Sequence, residues 1–376
     1  MIRLLLRPVE LALLGLIGYN LVTALFGWRD PEPVPVGRRD RRLRVVVPAH
    51  NEAKVIGGLL EDLEGQGQPR ARVVVLADHC EDATASIAAE AGVEVVERDG
   101  GAGGKGPALS WYLTHHPLDP DEALVVLDAD NRVPSDLLDR FSDALDQGHH
   151  VLQAYLGVSN PDASSLATAS ALSYWASNRM VQLARRNLGW TADLGGTGMC
   201  ITAEALDAVG GFGSSLAEDQ ELGVKLFEAG HPVVWLHDVE ILDEKPVSSK
   251  VAVRQRSRWA AGRTEVAKEH VPRLLSKRTP AAIDLAIRLA QPSRMGVAMG
   301  SGLLALGSLV GLPTLGFRLW ATVSALQVLA PLPFLWKEGV DRTYLLRYPV
   351  LVFLPLLKIP ARLIKQSGWY HTPHGG

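Results

Sequence analysis

Short apolar runs rich in valine and leucine alternate with helix-forming stretches in the first half of the chain. The runs lie at residues 43–49, 72–77, 93–97 and 123–127. Runs of this length are typical of strands that are buried on both faces, as in parallel sheets covered by helices. Their alternation with helical stretches predicts an α/β domain with a mostly parallel sheet. Such sheets bind ligands beyond the carboxyl ends of the strands, so the residues after each run are the first candidates for chemistry.

A longer apolar stretch lies near the amino terminus. Residues 9–28 are interrupted by Glu10 and Asn20 and approach the roughly 20 residues that cross a bilayer as a helix. The alternative, a cleaved signal peptide, lacks a clear small-residue cleavage site before Trp28. A basic cluster follows the stretch: Arg38, Arg39, Arg41, Arg42 and Arg44. Because positive residues favour the cytoplasmic side, we expect the following domain to be cytoplasmic, on a bacterial-type inner membrane.

Apolar runs return near the carboxyl terminus. Two of them, at 297–315 and 317–336, predict further spans and therefore a multi-pass protein. A third segment, at 344–365, is broken by an arginine and prolines and predicts an interfacial or re-entrant segment. The expected organisation is an anchor at 1–30, a basic proline-rich linker at 31–42, the α/β domain at 43–275 and a membrane region at 276–376.

Composition narrows the class of protein. Of the 376 residues, 47% are hydrophobic and 21% are charged, which argues for a full folded core and against a disordered chain. The mean hydropathy of +0.09 is high for a soluble protein because of the apolar ends. The formal net charge of −3 gives no reason to expect a nucleic-acid partner. Cys80 and Cys200 lack CxxC or Cys/His spacing, so neither a disulfide framework nor a zinc site is indicated.

Polar residues follow three of the predicted strands. They are PAHNE at 48–52, ADHCED at 77–82 and DAD at 128–130. A single polar strand end is explained by helix capping, since Asn and Asp commonly begin the helix after a strand. Three polar strand ends at one edge of a sheet favour a ligand site instead. Asp128 and Asp130, one residue apart, are suited to hold a divalent cation that neutralises a diphosphate.

A glycine-rich loop, GGAGGKGP at 100–107, follows the third strand. Its backbone is open to phosphate groups, and Lys105 adds a cation. The loop contains G-x-G-x-x-G, so a dinucleotide-binding oxidoreductase is an alternative, although that fingerprint belongs after the first strand of its unit. A P-loop is excluded because Asp99 and Gly106 stand where a glycine and a serine or threonine are required. A surface loop without function is the remaining alternative.

An acidic pair, Glu218 and Asp219, begins an apparent helix that continues through residues 220–229. Acids at this position complement the helix dipole and need no further function. Asp219 would nevertheless suit a general base, because deprotonation of an acceptor hydroxyl requires a carboxylate that stays ionised beside the metal site.

The segment QRSRW, at 255–259, lies on a predicted interfacial helix near 250–270. Gln255, Arg258 and Trp259 share one face of this helix and offer an amide, a cation and an aromatic surface together. The alternative is a cationic helix that lies on anionic lipid.

Taken in order, PAHNE, ADHCED, GGKG, DAD, AED and QRSRW resemble the motifs of membrane-bound family 2 glycosyltransferases of GT-A fold, in the cellulose-synthase-like and poly-N-acetylglucosamine-synthase-like branch. The resemblance covers residues 43–270. It implies a Rossmann-like, mostly parallel GT-A catalytic domain flanked by transmembrane helices. Ala217 departs from the family pattern, which has a threonine there, but both acids that follow are kept.

The resemblance implies roles for individual residues. Asp219 is expected to be the catalytic base, and Asp130 is expected to bind Mg²⁺ or Mn²⁺ with Asp128 beside it. The donor, by family tendency a UDP-sugar, is expected to contact Ala49, Glu52, Asp78, Lys105, Asp128, Ala129, Glu218, Gln255, Arg258 and Trp259.

The resemblance implies an inverting transfer of sugar to a lipid or glycan acceptor at the cytoplasmic face, among membrane lipids. Asp219 would take the acceptor proton, while the metal, Lys105 and Arg258 stabilise the departing diphosphate. A processive polysaccharide synthase is the alternative within the family, but so few membrane helices leave little material for a channel. A non-catalytic scaffold is disfavoured, because it would be expected to lose the acids of the site.

Overall fold

The computed structural model describes residues 2–68, 70–213 and 215–351. Its strands are β1 (Arg42–Ala49), β2 (Ala71–Asp78), β3 (Glu94–Arg98), β4 (Glu122–Val126), β5 (Val151–Val158), β6 (Met199–Thr202) and β7 (Val233–Asp243). The first helices are α1 (Ile2–Leu25), α2 (Ile56–Glu64), α3 (Thr84–Glu90), α4 (Lys105–His115), α5 (Leu137–Asp146), α6 (Ser165–Ser177), α7 (Ala184–Asn187), α8 (Ala203–Val209) and α9 (Glu218–Glu228). The later helices are α10 (Ser249–Ser276), α11 (Pro280–Ala290), α12 (Arg294–Leu309), α13 (Phe317–Leu329), α14 (Pro331–Lys337) and α15 (Arg342–Leu346).

The strands form one sheet in the order β3-β2-β1-β4-β6-β5-β7. Strand β6 is antiparallel to β4 and β5, and the other pairs are parallel. The prediction of a mostly parallel α/β sheet is therefore confirmed. The four predicted runs are β1 to β4, with each boundary within 1 residue. Sequence reasoning did not identify β5, β6 and β7.

Side chains of β1 alternate between two cores, one on each face of the sheet. Val45 and Val47 pack against the side of α2 and α5, whereas Val46 packs against the side of α4 and α9. All three valines are fully buried. Because successive side chains of a strand point to opposite faces, a strand covered on both sides is apolar at every position. This explains the continuous apolar runs in the sequence.

The polar residues that interrupt the apolar sequence of α1 hold this helix against the later helices. Glu10 is fully buried and accepts hydrogen bonds from Trp320 Nε1 (2.7 Å) and from Leu315 N (2.6 Å). Asn20 Nδ2 donates to Gln291 Oε1 at 2.8 Å. Breaking these bonds would leave buried polar groups unsatisfied, which is costly in an apolar environment. The first helix and the carboxyl-terminal helices are therefore packed as one unit.

Within the described residues, two helical segments are long and apolar enough to cross a membrane, Ile2–Trp28 and Phe317–Lys337. The span predicted at 297–315 falls short, because α12 has 16 residues and ends before Gly311, which adopts a left-handed φ of 87°. At 1.5 Å per residue such a helix is only about 24 Å long. Most of the segment predicted at 344–365 lies outside the described residues.

Candidate functional site

The carboxyl ends of β1, β2 and β4 open into a cavity of ≈1680 Å³, which α10 and the first turns of α12 border on the opposite side. The cavity brings together residues that are far apart in sequence. Its lining includes every residue that the sequence predicted for the site: Ala49, Glu52, Asp78, Lys105, Asp128, Ala129, Asp130, Glu218, Asp219, Gln255, Arg258 and Trp259.

The ends of β1 and β2 are braced against each other. Asn51 (φ 58°) and His79 (φ 52°) turn the chain out of each strand through left-handed conformations, which Asn and His tolerate better than most residues. Asn51 Oδ1 accepts a hydrogen bond from Glu81 N at 2.8 Å. Glu52 follows at the cavity wall, where burial and the nearby Asp128 raise its pKa to about 8. Part of this polar cluster is thus structural, and part faces the cavity.

Asp78 is buried at the end of β2 and holds the glycine-rich loop. Its carboxylate pairs with the Arg98 guanidinium and accepts a hydrogen bond from Gly104 N at 3.4 Å. Arg98 Nη2 also donates to Ala102 O at 2.8 Å. Gly104 has a φ of 116°, a conformation that only glycine adopts readily, and it leads directly into α4. The loop therefore follows a defined path to the cavity.

Lys105 is the first residue of α4 and forms an ion pair with Asp128 inside the cavity. The backbone of Asp128 is also held, since its N–H donates to Thr197 Oγ1 (2.9 Å) and to Asn131 Oδ1 (3.0 Å). The amino terminus of a helix and an ammonium group together favour an anion. Lys105 is therefore positioned to exchange its carboxylate partner for a phosphate group.

Asp130 lies in the most acidic part of the cavity. Burial and the nearby Asp243, Asp128 and Glu52 raise its pKa well above the usual range. Lys245 acts in the opposite direction, but this ammonium is itself paired with Asp243. A concentration of carboxylates in a polar cavity supplies the hard oxygen ligands that Mg²⁺ and Mn²⁺ prefer. The residues present therefore fit a divalent cation.

Among the described residues, no three His, Cys, Asp or Glu side chains are arranged as a complete metal-binding group. Magnesium is commonly bound by one or two carboxylates, with substrate phosphates and water as the other ligands. The geometry at Asp130 agrees with this mode of binding, in which the protein alone offers only part of the coordination.

Asp219 lies in the first turn of α9, where burial and the neighbouring Glu218 raise its pKa to about 7. Lys105 and Arg258 act in the opposite direction. The sequence analysis expected this carboxylate to stay ionised. A carboxyl group with a pKa of about 7 is instead divided between its ionised and protonated forms near neutral pH. A Cβ atom added at Gly196 would lie 3.3 Å from Asp219 Oδ2 and 3.9 Å from Lys105 Nζ. The carboxylate and the ammonium therefore face the same small space, which suits proton transfer beside a developing charge.

Helix α10 crosses the cavity opposite the strand ends. The three residues predicted to share one face of this helix all line the cavity: Gln255, Arg258 and Trp259. Arg258 Nη1 lies 3.9 Å from Glu218 Oε2, which links α10 to the acidic end of α9. The two segments touch at Gly262, where an added Cβ would lie 2.5 Å from Ala217 N. A larger residue at Gly262 would therefore displace α10 from the acidic pair.

The sequence did not reveal a second glycine-rich segment, GGTG at 195–198, which enters the cavity before β6. Gly196 and Gly198 have φ values of 83° and 65°. Gln153 Oε1 accepts a hydrogen bond from Gly195 N at 2.9 Å, and Thr197 Oγ1 holds the backbone of Asp128. The available signal was a cluster of glycines just before a short apolar run.

The end of β7 was also missed. Asp243 lies close enough to Asp130 to contribute to its raised pKa, and the buried Lys245 lies 3.7 Å from the centroid of the Tyr174 ring. The available signal was the polar sequence DEKP directly after an apolar run, the same pattern that identified the ends of β1, β2 and β4.

The sequence of this chain is similar to those of known glycosyltransferases. The profile described as "Glycosyltransferase like family 2" matches residues 41–262. The chain is 30% identical over 232 residues to the beta-monoglucosyldiacylglycerol synthase of Synechocystis sp., with 58% of this chain and 47% of the relative covered. It is 29% identical over 243 residues to the protein of the same name from Trichormus variabilis, with 58% and 48% covered. The chain thus spans about half the length of these curated relatives.

A solved structure has a similar fold. It is a mannosyltransferase from Pyrobaculum calidifontis in complex with GDP-Man and Mn²⁺, with a TM-score of 0.57 and 20% sequence identity. The comparison covers 90% of this chain and 99% of that chain. The likeness therefore extends beyond the sheet to most of the helices.

Proposed function

This chain belongs to family 2 of the glycosyltransferases, and we propose that it transfers a sugar from a nucleotide-sugar donor to a hydroxyl group of a membrane lipid. Two relatives named as beta-monoglucosyldiacylglycerol synthases support a lipid acceptor, as do the apolar helices that border the cavity. The observation that carries the proposal is the position of Asp219. It is a half-buried carboxylate beside Lys105 and Arg258, in a cavity that reaches from the strand ends to α12.

In the proposed reaction the acceptor hydroxyl attacks the anomeric carbon and displaces the nucleotide diphosphate in one step. Asp219 accepts the hydroxyl proton, and its pKa of about 7 matches this task near neutral pH. A single displacement inverts the configuration at the anomeric carbon and needs no covalent intermediate on the enzyme.

The leaving diphosphate would be stabilised by Lys105, Arg258 and the amino terminus of α4. Asp130, with Asp128 and Asp243 nearby, would hold Mg²⁺ or Mn²⁺, which when bound neutralises diphosphate charge. The remaining proposed donor contacts are Ala49, Glu52, Asp78, Ala129, Glu218, Gln255 and Trp259.

We also propose that residues 43–275 form the catalytic domain at the cytoplasmic face of the membrane. The two candidate spans, Ile2–Trp28 and Phe317–Lys337, would anchor it. The arginines that follow α1 support this orientation, since positive residues next to a span favour the cytoplasmic side.

One earlier alternative is wrong for this chain, and a second is disfavoured. A family 2 glycosyltransferase profile covers the site, and the glycine-rich loop follows β3 instead of β1, so the chain is not a dinucleotide-binding oxidoreductase. Family membership together with the retained acids argues against a non-catalytic scaffold. A processive polysaccharide synthase remains the second candidate function, favoured by the Gln255, Arg258 and Trp259 face.

The proposal is tested with the purified full chain in mixed micelles that contain diacylglycerol, Mn²⁺ and a panel of labelled UDP-sugars. Mass spectrometry of the lipid fraction should reveal a glycolipid. Asp219→Asn should lower its formation by about 10²- to 10⁴-fold, the range of general base catalysis, while stabilisation of the protein by UDP and Mn²⁺ is retained.

Asp207→Asn, on the exposed side of α8, is the matched control and should behave like the wild type. The absence of lipid product with every donor, or polymer in its place, would refute the lipid acceptor. Near-normal turnover of Asp219→Asn would refute the assignment of the base.

A further inference from the structure

A second, apolar cavity lies between α12 and α13. It has a volume of ≈660 Å³, within the usual range for ligand pockets. Its walls are formed by small and aliphatic side chains, including Leu303, Leu306, Ala321, Ala325, Val328 and Leu329. The Ser324 hydroxyl, which also borders it, donates to Ala298 O at 2.9 Å and is therefore satisfied. We call this cavity the α12/α13 groove.

The α12/α13 groove adjoins the catalytic cavity. Met299 and Leu303 line both of them. Along α12 the catalytic cavity is bordered by Gly296, Met299, Gly300 and Leu303, which are spaced i, i+3, i+4 and i+7 and hence form one helix face. A single face of α12 therefore runs from the polar cavity to the apolar groove.

Gly300 lines the catalytic cavity next to Met299, one of the two residues that line both spaces. A Cβ atom added at Gly300 would meet no atom within 4 Å, so packing within the described chain does not require a glycine there. Glycine in the interior of a helix is unfavourable by about 1 kcal/mol relative to alanine. The space above Gly300 is thus available to a ligand.

The two adjoining spaces differ in chemistry, since the catalytic cavity contains charged residues and the groove is apolar. A lipid has the same division between its polar headgroup and its hydrocarbon chains. The deep end contains Asp219 and Lys105, which suit a hydroxyl group and a diphosphate. The α12/α13 groove contains exposed leucines, with Leu303 67% and Leu306 59% exposed. Exposed apolar surface of this kind favours contact with hydrocarbon. The groove also lies against α13, which belongs to the candidate span Phe317–Lys337.

We infer that a hydrocarbon chain of the acceptor lipid lies in the α12/α13 groove and passes over Gly300, so that its headgroup hydroxyl reaches Asp219 from the membrane side. This inference rests on the proposed function, since it needs a lipid acceptor. It makes Gly300 the residue that controls passage between the groove and the catalytic cavity.

The test compares two substitutions of a helical glycine in the full chain in mixed micelles. Gly300→Leu fills the passage, whereas Gly18→Leu, on the exposed side of α1, is the matched control, because a Cβ there also meets no atom within 4 Å. Ala325→Phe narrows the groove from its α13 wall. Each variant is assayed with a long-chain diacylglycerol, with a short-chain water-soluble analogue, and for hydrolysis of the donor without acceptor.

We expect Gly300→Leu and Ala325→Phe to lower kcat/KM for the long-chain acceptor by about tenfold or more, mainly through KM, because a few methylene groups lose their apolar contacts. For Ala325→Phe, which lies outside the catalytic cavity, activity with the short-chain acceptor and donor hydrolysis should stay within about twofold of the wild type. Gly18→Leu should match the wild type throughout.

Equal use of the long-chain acceptor by Gly300→Leu and the wild type would overturn the inference while leaving the proposed function intact. Equal losses with long and short acceptors would also overturn it, since they would indicate damage to the catalytic cavity. If the wild type transfers sugar to no lipid, the proposed function itself fails.

Discussion

The two halves of the cavity differ in how they are built. The half that we propose binds the donor, called the donor half, is formed by the ends of β1, β2 and β4 and the glycine-rich loop. It is dense in charge and contains two ion pairs: Asp78 with Arg98, and Asp128 with Lys105. The half that we propose binds the acceptor, called the acceptor half, is formed by α10 to α13 and has mainly small and apolar residues at its α12 end. Internal ion pairs would hold the proposed donor-binding groups in place before the donor arrives, which would reduce the reorganisation that binding requires.

This difference indicates which property each half recognises. A charged, hydrogen-bonded site distinguishes ligands by the exact placement of polar atoms, because an unmatched buried polar group is costly. An apolar wall accepts any hydrocarbon of suitable length. We therefore expect substitutions in the donor half to affect catalysis strongly, and substitutions at the boundary between the halves to have intermediate effects.

The largest effect is expected from Asp130→Asn in the donor half. Loss of this carboxylate should remove metal-dependent binding of the diphosphate and lower kcat/KM by about 10²- to 10³-fold, the scale of losing one electrostatic contact to the transition state. Thermal unfolding should show that UDP with Mn²⁺ no longer stabilises the variant. Asp136→Asn, an exposed acid nearby, serves as the control. Normal stabilisation of Asp130→Asn by UDP and Mn²⁺ would exclude Asp130 as the metal ligand.

A smaller effect is expected where the halves meet. Gly262→Ala places a Cβ 2.5 Å from Ala217 N, so α10 must shift away from the acidic pair. Overpacking of this kind costs about 1–3 kcal/mol of stability, and we expect kcat/KM to fall by about tenfold. Chemical denaturation measures the loss of stability, and initial rates measure the fall in kcat/KM. Gly57→Ala on α2, where a Cβ meets no atom within 4 Å, should be neutral or slightly stabilising. If Gly262→Ala and Gly57→Ala have the same stability and the same kcat/KM, the close contact between Gly262 and Ala217 is contradicted.

The smallest effect is a change in pH dependence. With the pKa of Asp219 at about 7, kcat/KM should fall about tenfold per pH unit below that value, because only the ionised form accepts a proton. Glu218→Gln removes a like charge that raises this pKa, so the rising limb should move to lower pH by a fraction of a unit. Arg258→Gln removes a cation that lowers the pKa and should move the limb to higher pH. If the rising limb of kcat/KM stays at the same pH in both variants, the group that titrates is not Asp219.

The donor half was largely predictable from the sequence. Strands β1 to β4 are buried on both faces, so each appears as a continuous apolar run with a polar end. Strands β5 to β7 carry weaker signals: β5 contains the buried Gln153, β6 is only 4 residues long, and the pairing of β5 with β7 shifts register between Ala154 and Tyr155. Their residues at the site were missed for that reason.

The boundary between the halves was not predictable, because its contacts join segments that are distant in sequence. Nothing local indicates that Gly262 touches Ala217, or that Gly196 faces Asp219 and Lys105. The raised pKa of Asp219 likewise depends on burial by several elements. The sequence also predicted a span that continues to residue 315, whereas α12 ends at Leu309, two residues before Gly311 with its left-handed φ of 87°.

The anomeric configuration of the product tests the central claim most directly, since it depends on the donor, the lipid acceptor and the base together. The wild-type protein is incubated with an α-linked UDP-sugar and diacylglycerol, and the purified glycolipid is examined by proton NMR. A β-linked sugar on the lipid hydroxyl is the predicted result, because one displacement assisted by Asp219 inverts the configuration. An α-linked glycolipid would contradict the account.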